Sequence, residues 1–298
     1  MNITIPYTIF LSIAPAVLIV VPVYLVFHLF KRSTRHRKSP LNIELLRSPG
    51  QSLREEITEL SVDITGELLL IPIIVLALYA IATTYQLYYP EKTSSLMIYL
   101  YIFIAIGVSI YQGIKAYRIF KRRNVVRLGY ECELAVGQDL SGLIRYGFKV
   151  YHDFPAEGFN IDHIAIGPTG VFAIETKGRS KQVNVEKENW KLTFDGDTLR
   201  FPGWTERKPV QQAKRQAKDL SKWIESAIGE QQSVVPVLAI PGWFITRKKQ
   251  SNLRIYNGKG SYYLAKGQVV LSDKQIKAIS HQVEEKCRDV KPDSYKKD

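Results

Sequence analysis

Apolar positions along this 298-residue chain are concentrated in its first 120 residues. From Ile5 to Phe30 there are 26 residues without an Asp, Glu, Lys or Arg, where roughly 20 suffice to cross a bilayer. A second uncharged stretch runs from Leu68 to Tyr89 and a third from Leu96 to about Ile114, separated by the polar segment 90–95. The pattern predicts three transmembrane helices, the last two as a hairpin, with Pro15 and Pro22 kinking the first. No positive charge lies in Met1 to Pro6 and no small-residue cleavage pattern precedes Lys31, which argues for a retained helix over a cleaved signal peptide. Lys31, Arg32, Arg35, Arg37 and Lys38 follow the first stretch, and Lys115, Arg118, Lys121, Arg122 and Arg123 follow the third. That bias orients the protein with its N-terminus outside and its C-terminal half cytoplasmic, and the expected location is a bacterial inner membrane. No stretch holds a central charge, so the spans read as an anchor and not as an ion or substrate path.

Beyond residue 123 the pattern changes to short segments with their own periods. A helix is expected from about Tyr130 to Arg145, with Val136, Leu140, Leu143 and Ile144 as its apolar stripe and Glu133 on that same stripe. Strands follow at Lys149 to His152, Phe159 to Ile166, Val171 to Lys177, Gln182 to Val185 and Trp190 to Phe194. A helix from Lys208 to Ile228, a buried strand from Val234 to Ile240 and a helix capped by Ser272 and reaching about Cys287 complete the reading. The order predicts an α/β or α+β domain over 124–298, built on one layered sheet and preceded by the membrane region 1–123.

Charge then narrows the partner. Lys and Arg number 41 against 28 Asp and Glu, a net of +13, and residues 124–298 hold 28 of those cations against 21 acids. A chain so basic favours nucleic acid or an acidic lipid surface. Two cysteines, Cys132 and Cys287, are too few for a zinc ribbon or a disulfide framework. His152, His163 and His281 lack the spacing of a zinc site and read as structural, and Trp190, Trp204, Trp223 and Trp243 read as packing residues.

Gly167, Pro168, Thr169 and Gly170 have turn chemistry and should close a hairpin. If Gly167 faces Gly170, Asp162 falls opposite Glu175, and Lys177 shares the Glu175 face one strand step away. A bulge at Gly170 would instead slip the register by one and send Asp162 to the other face. Two ionised carboxylates ~5 Å apart repel by roughly 3 kcal/mol at an effective dielectric of ~20, so they require a cation, a shared proton or full solvation. All-oxygen ligation by Asp162 and Glu175 suits Mg²⁺ or Mn²⁺, with Lys177 contacting a phosphate or orienting water.

The spacing of Asp162 from Glu175, Thr176 and Lys177 resembles the PD-(D/E)xK nuclease motif. More narrowly, Gly129 to about Ile240 is similar to the nuclease-related domain, NERD. Gly129 and Glu133 match its first helix, Ile161 to His163 its aspartate strand, Gly167 to Val171 its turn, Ile174 to Lys177 its ExK strand, and Pro209 with Gln212 the start of its helix. Cys132, Lys208 and Ile161 depart from the family pattern at positions that are not expected ligands. The resemblance implies a restriction-endonuclease-like fold and a metal-dependent nuclease acting on DNA, with Asp162 and Glu175 on the metal, Lys177 catalytic, and Glu133 and Gln212 accessory. Lys208, Lys214, Arg215, Lys218 and Lys222 form a candidate phosphate-contacting stripe or a solvated face. Two rival readings stand beside the nuclease: a non-catalytic nuclease-fold module that binds nucleic acid, and a scaffold whose basic face docks on anionic lipid or a partner protein.

Overall fold

In the computed structural model, residues 21–34, 37, 39–92, 94–181 and 190–292 are described. They fall into two compact units, one of residues 1–42, 58–123 and 292–298, the other of residues 43–57 and 124–291.

The first unit is dominated by α1 (Gln51–Tyr88) and α2 (Ser95–Ser141), two helices long and apolar enough to cross a membrane. Leu69, Ile73, Leu100 and Phe103 are each more than half exposed, whereas the core helix of a soluble domain would bury such residues. The helices extend well past the expected spans because no Pro interrupts their polar continuations. Beyond the apolar stretches they are joined by Lys115 Nζ with Glu67 Oε1 at 2.5 Å and by Arg123 Nε donating to Ser61 Oγ at 2.7 Å. Of the expected first span, residues 5–20 lie outside the described residues, and 21–34 are helical. Two membrane-length helices, not three, are therefore seen among the described residues.

The second unit contains β1 (Leu45–Leu46), β2 (Lys149–Ala156), β3 (Phe159–Gly167), β4 (Gly170–Thr176), β5 (Lys191–Phe194), β6 (Leu199–Phe201), β7 (Trp204–Glu206), α3 (Lys208–Ile228), β8 (Val234–Ala239), β9 (Phe244–Arg247), β10 (Arg254–Tyr256), α4 (Asp273–Cys287) and β11 (Arg288–Val290). Five strands form a mixed sheet in the order β10-β8-β4-β3-β2, with β4 central. The expected single sheet is corrected: β7-β6-β5-β9 form a second sheet and β1-β11 a third. Several of these strands are only two to four residues long, too short to display a period in sequence. The strand expected at Gln182 to Val185 lies outside the described residues.

The helix expected from Tyr130 is the end of α2. It stops at Ser141 and tightens into a 3₁₀ turn (Gly142–Tyr146), which rotates Ile144 off the stripe to 63% exposure. Val136, Leu140 and Leu143 cover one face of the main sheet, against Ala165, Phe172, Ile174 and Val237. On the other face, Ala217, Leu220 and Ile224 of α3 and Ile279 and Val283 of α4 pack on Ile164, Ile166, Val171 and Ala173. Both helix stripes follow the 3.6-residue period. Ser272 caps α4 through a reciprocal box with Gln275, as its sequence predicts.

Candidate active site

The site forms where the β3–β4 ladder ends. Gly167 pairs with Gly170, and the register runs unbroken to His163 opposite Ile174. The hairpin therefore closes without the one-residue slip, and Asp162 and Glu175 are the next residues along. There the strands part: Asp162 Oδ2 accepts the Thr176 N–H at 2.6 Å, so a side chain substitutes for the next main-chain rung. By alternation, Asp162 follows Ile166 and Ile164, and Glu175 follows Val171 and Ala173, all on the face beneath α3 and α4. On the far side of β4, Glu175 is in register with Leu238 of β8, and Lys177 N–H donates to Ala239 O at 2.9 Å.

Glu175 is 1% exposed. The Lys177 ammonium forms an ion pair with Glu175 Oε1, while Oε2 is buried with no hydrogen-bond partner among the described residues. Glu133 reaches the same region from α2. Burial, then Asp153 and Glu175, push its carboxyl up to about 8 against the opposing pull of Lys177. Asp162 is also held well above the usual carboxylate range by burial and by Glu175 and Glu133, with Lys177 and the Thr176 amide opposing. Burial works against the charged Lys177 amine, but Glu175 and Asp162 outweigh it and raise its affinity for a proton. Three carboxyl groups thus face one amine, and the pocket is short of positive charge.

No group of three or more His, Cys, Asp or Glu side chains among the described residues is spaced to enclose a metal ion. A hard cation that keeps several waters needs only one or two carboxylates. The buried, unpartnered Glu175 Oε2 and the excess of carboxyl groups fit such an ion, and Asp162 and Glu175 are the carboxylates that could hold it.

The remaining expected residues are placed unevenly. Gln212 is half-buried, and its side chain makes no hydrogen bond among the described residues. One turn on, Gln216 is fully buried; its Nε2 donates to Asn160 O at 3.1 Å, two residues before Asp162, and its Oε1 is unpartnered. Lys208, Arg215, Lys218 and Lys222 are exposed along α3, whereas Lys214 is partly neutralised by Asp197 at 2.5 Å. His152 and His163 pack together, Nδ1 to Nδ1 at 2.9 Å, with His163 fully and His152 partly buried.

Two features of the site were not anticipated. One is the Thr176 amide, whose role depends on where the ladder ends. The other is Arg179, which donates to both Glu206 oxygens at 2.8 and 2.6 Å while Trp243 Nε1 donates to its carbonyl at 3.1 Å. These bonds fix the chain leaving Lys177 onto the second sheet. The alternation of Lys177, Arg179 and Lys181 was the available signal, but their partners are 27 to 64 residues away.

Residues 128–241 match the family profile of the nuclease-related domain, NERD. That segment contains Glu133, Asp162, Glu175, Lys177, Gln212 and Gln216. No curated protein and no solved structure matches the chain.

Proposed function

We propose that the chain is a membrane-anchored nuclease of restriction-endonuclease-like fold, its catalytic unit facing the cytoplasm, that hydrolyses phosphodiester bonds in DNA with Mg²⁺ or Mn²⁺. One observation carries the reading: within the NERD-matching segment, Asp162, Glu175 and Lys177 converge where β3 and β4 part, and Glu175 keeps a buried oxygen unpaired. Asp162 and Glu175 would hold the ion, which when bound lowers the pKa of water and offsets charge growing on the phosphate. Thr176 N–H orients Asp162, and the Arg179–Glu206 fork holds the chain behind Lys177. Lys177 carries a full positive charge and steadies a phosphate oxygen or orients the attacking water. Glu133 and Gln212 stand as accessory groups, and Lys208, Arg215, Lys218 and Lys222 as exposed cations for the phosphate backbone. The N-terminal apolar stretch, α1 and α2 serve as the anchor, oriented by the Lys and Arg that follow it.

The test is cleavage of DNA by the detergent-solubilised chain with and without divalent ion. Lys177→Ala should lower the rate by about 100-fold or more, the size of losing one charge-stabilising donor. Equal cleavage by the two proteins refutes the assignment. A second reading, a nucleic-acid-binding module without catalysis, is favoured by the Lys177–Glu175 ion pair, which already supplies one carboxylate with a counter-charge. It predicts salt-dependent DNA binding and no metal-dependent cutting.

A further inference from the structure

The second sheet buries one face and leaves the other open. Leu192, Phe194, Leu199 and Phe201 point inward onto Val210 and Ala213 of α3. Alternation sends Lys191, Thr193, Arg200, Thr205, Phe244 and Thr246 outward. The register sets Thr205, Arg200, Thr193 and Thr246 in one row across the four strands, and Lys191 beside Phe244 in the next. All but Thr193 are exposed. Phe244, at 59%, is the one exposed phenylalanine of the second unit among the described residues.

Charge around this face is positive. Residues 190–208 and 242–250, which make up the sheet and its turns, hold seven Lys and Arg against three acids. Each acid is already engaged: Asp195 by Arg200 at 3.2 Å, Asp197 by Lys214 at 2.5 Å and Glu206 by Arg179 at 2.6 Å. Lys191, Lys248 and Lys249 are exposed and in no ion pair among the described residues. An open aromatic ring beside free cations and threonine hydroxyls suits a strand whose bases stack while its phosphates meet positive charge. A duplex does not fit, because four strands span about 14 Å, wider than the ~12 Å major groove, and paired bases hide their faces from Phe244. An acidic peptide would engage the cations and leave the ring unused.

The face also begins where the candidate active site ends. Trp243, next to Phe244, donates from Nε1 to Arg179 O at 3.1 Å, and Lys181 Nζ donates to Gly242 O at 2.5 Å. The chain leaving Lys177 is thus fastened at the Phe244 end of β9. We infer that the outer face of the second sheet binds single-stranded nucleic acid and leads it toward Asp162, Glu175 and Lys177. The inference rests on the nuclease reading and adds the form of the substrate. Phe244 stacks on a base and Lys191 meets a phosphate.

The experiment measures binding of a fluorescein-labelled single strand of about 12 nucleotides, and of the matching duplex, by the full chain in detergent with EDTA. Phe244→Ala should weaken single-strand binding about tenfold and duplex binding less than twofold, and Phe244→Trp should keep the affinity. Lys191→Gln should lower the salt slope on the single strand by about 0.7, the value of one phosphate contact. Absent single-strand binding, or single-strand affinity unchanged in Phe244→Ala, overturns the inference. So does an equal loss on the duplex. Competition by polyglutamate as strong as by an oligonucleotide of equal charge overturns it too, and marks a surface for an acidic protein. A change from dimer to monomer in Phe244→Ala does the same and marks a second copy on this face. Cleavage with divalent ion is read separately. A chain that binds through Phe244 and does not cut refutes the nuclease reading, whereas one that cuts with binding indifferent to Phe244 refutes only this surface.

Discussion

Replacing Arg47 by Ala should destabilise the second unit by about 3 kcal/mol, the lower end of the cost of leaving a buried charge without its partner. Arg47 makes a fork with Asp289 at 2.7 and 2.8 Å and reaches Asp153 Oδ2 at 2.9 Å. The two acids differ in consequence. Asp289 has a 40% exposed side chain that water can solvate, so its half of the network contributes at most about 1 kcal/mol. The Asp153 side chain is only 5% exposed, and losing the guanidinium leaves it with neutral donors alone. Those donors are Ser52 N–H at 2.9 Å, Ser52 Oγ at 2.6 Å and Asn160 Nδ2 at 3.0 Å, and they keep the cost from reaching the top of the range. For a unit of this size, 3 kcal/mol corresponds to a fall in Tm of roughly 6 to 12 °C. Thermal melting of the full chain in detergent measures it, and Asp153→Asn in the Arg47→Ala background should recover part of the loss by removing the stranded charge. A fall of less than about 3 °C, or no recovery in the double variant, refutes the argument. If it holds, a fragment beginning at residue 124 lacks a stabilising part of its own unit.

Other outcomes follow from the same structure. Burial lowers the His152 pKa to about 4 despite Asp153, and lowers that of His163 through burial and His152. With an unfolded value near 6.5, the unfolded chain takes up the proton first, so stability is full above about pH 6.5 and falls by roughly 3 kcal/mol for His152 as pH drops toward 4. Glu133, held up to about 8, gains stability over the same range, so the check is a difference: a His152→Gln variant whose Tm varies with pH just as the parent chain's does would contradict a neutral His152. Gly167→Ala should cost about 1–3 kcal/mol by overpacking, because its new methyl would land on the Phe148 ring. Cleavage should fall along with its Tm, since Gly167 closes the hairpin that sets Asp162 beside Glu175. An unchanged Tm would show that the ring yields freely.

Periodicity and turn chemistry by themselves determined α3, α4, β3, β4 and β8, because each buries one continuous stripe or is bounded by Gly, Pro or Ser signals. The Gly-Pro-Thr-Gly turn located the hairpin but left two registers open, and the pairing of Gly167 with Gly170 in the folded chain selects the one that sets Asp162 beside Glu175. Long apolar runs marked the two membrane-length helices without any partner, because in a bilayer the requirement is carried by the segment alone. Tertiary structure decided what depends on residues far apart in the chain. The outward turn of Ile144, the choice of Gln216 over Gln212 as the buried glutamine, and the tie of Arg47 to Asp153 all depend on the folded structure around them. The short strands of the second sheet belong to the same class: with three or four residues apiece, they are held by neighbours rather than by any local preference.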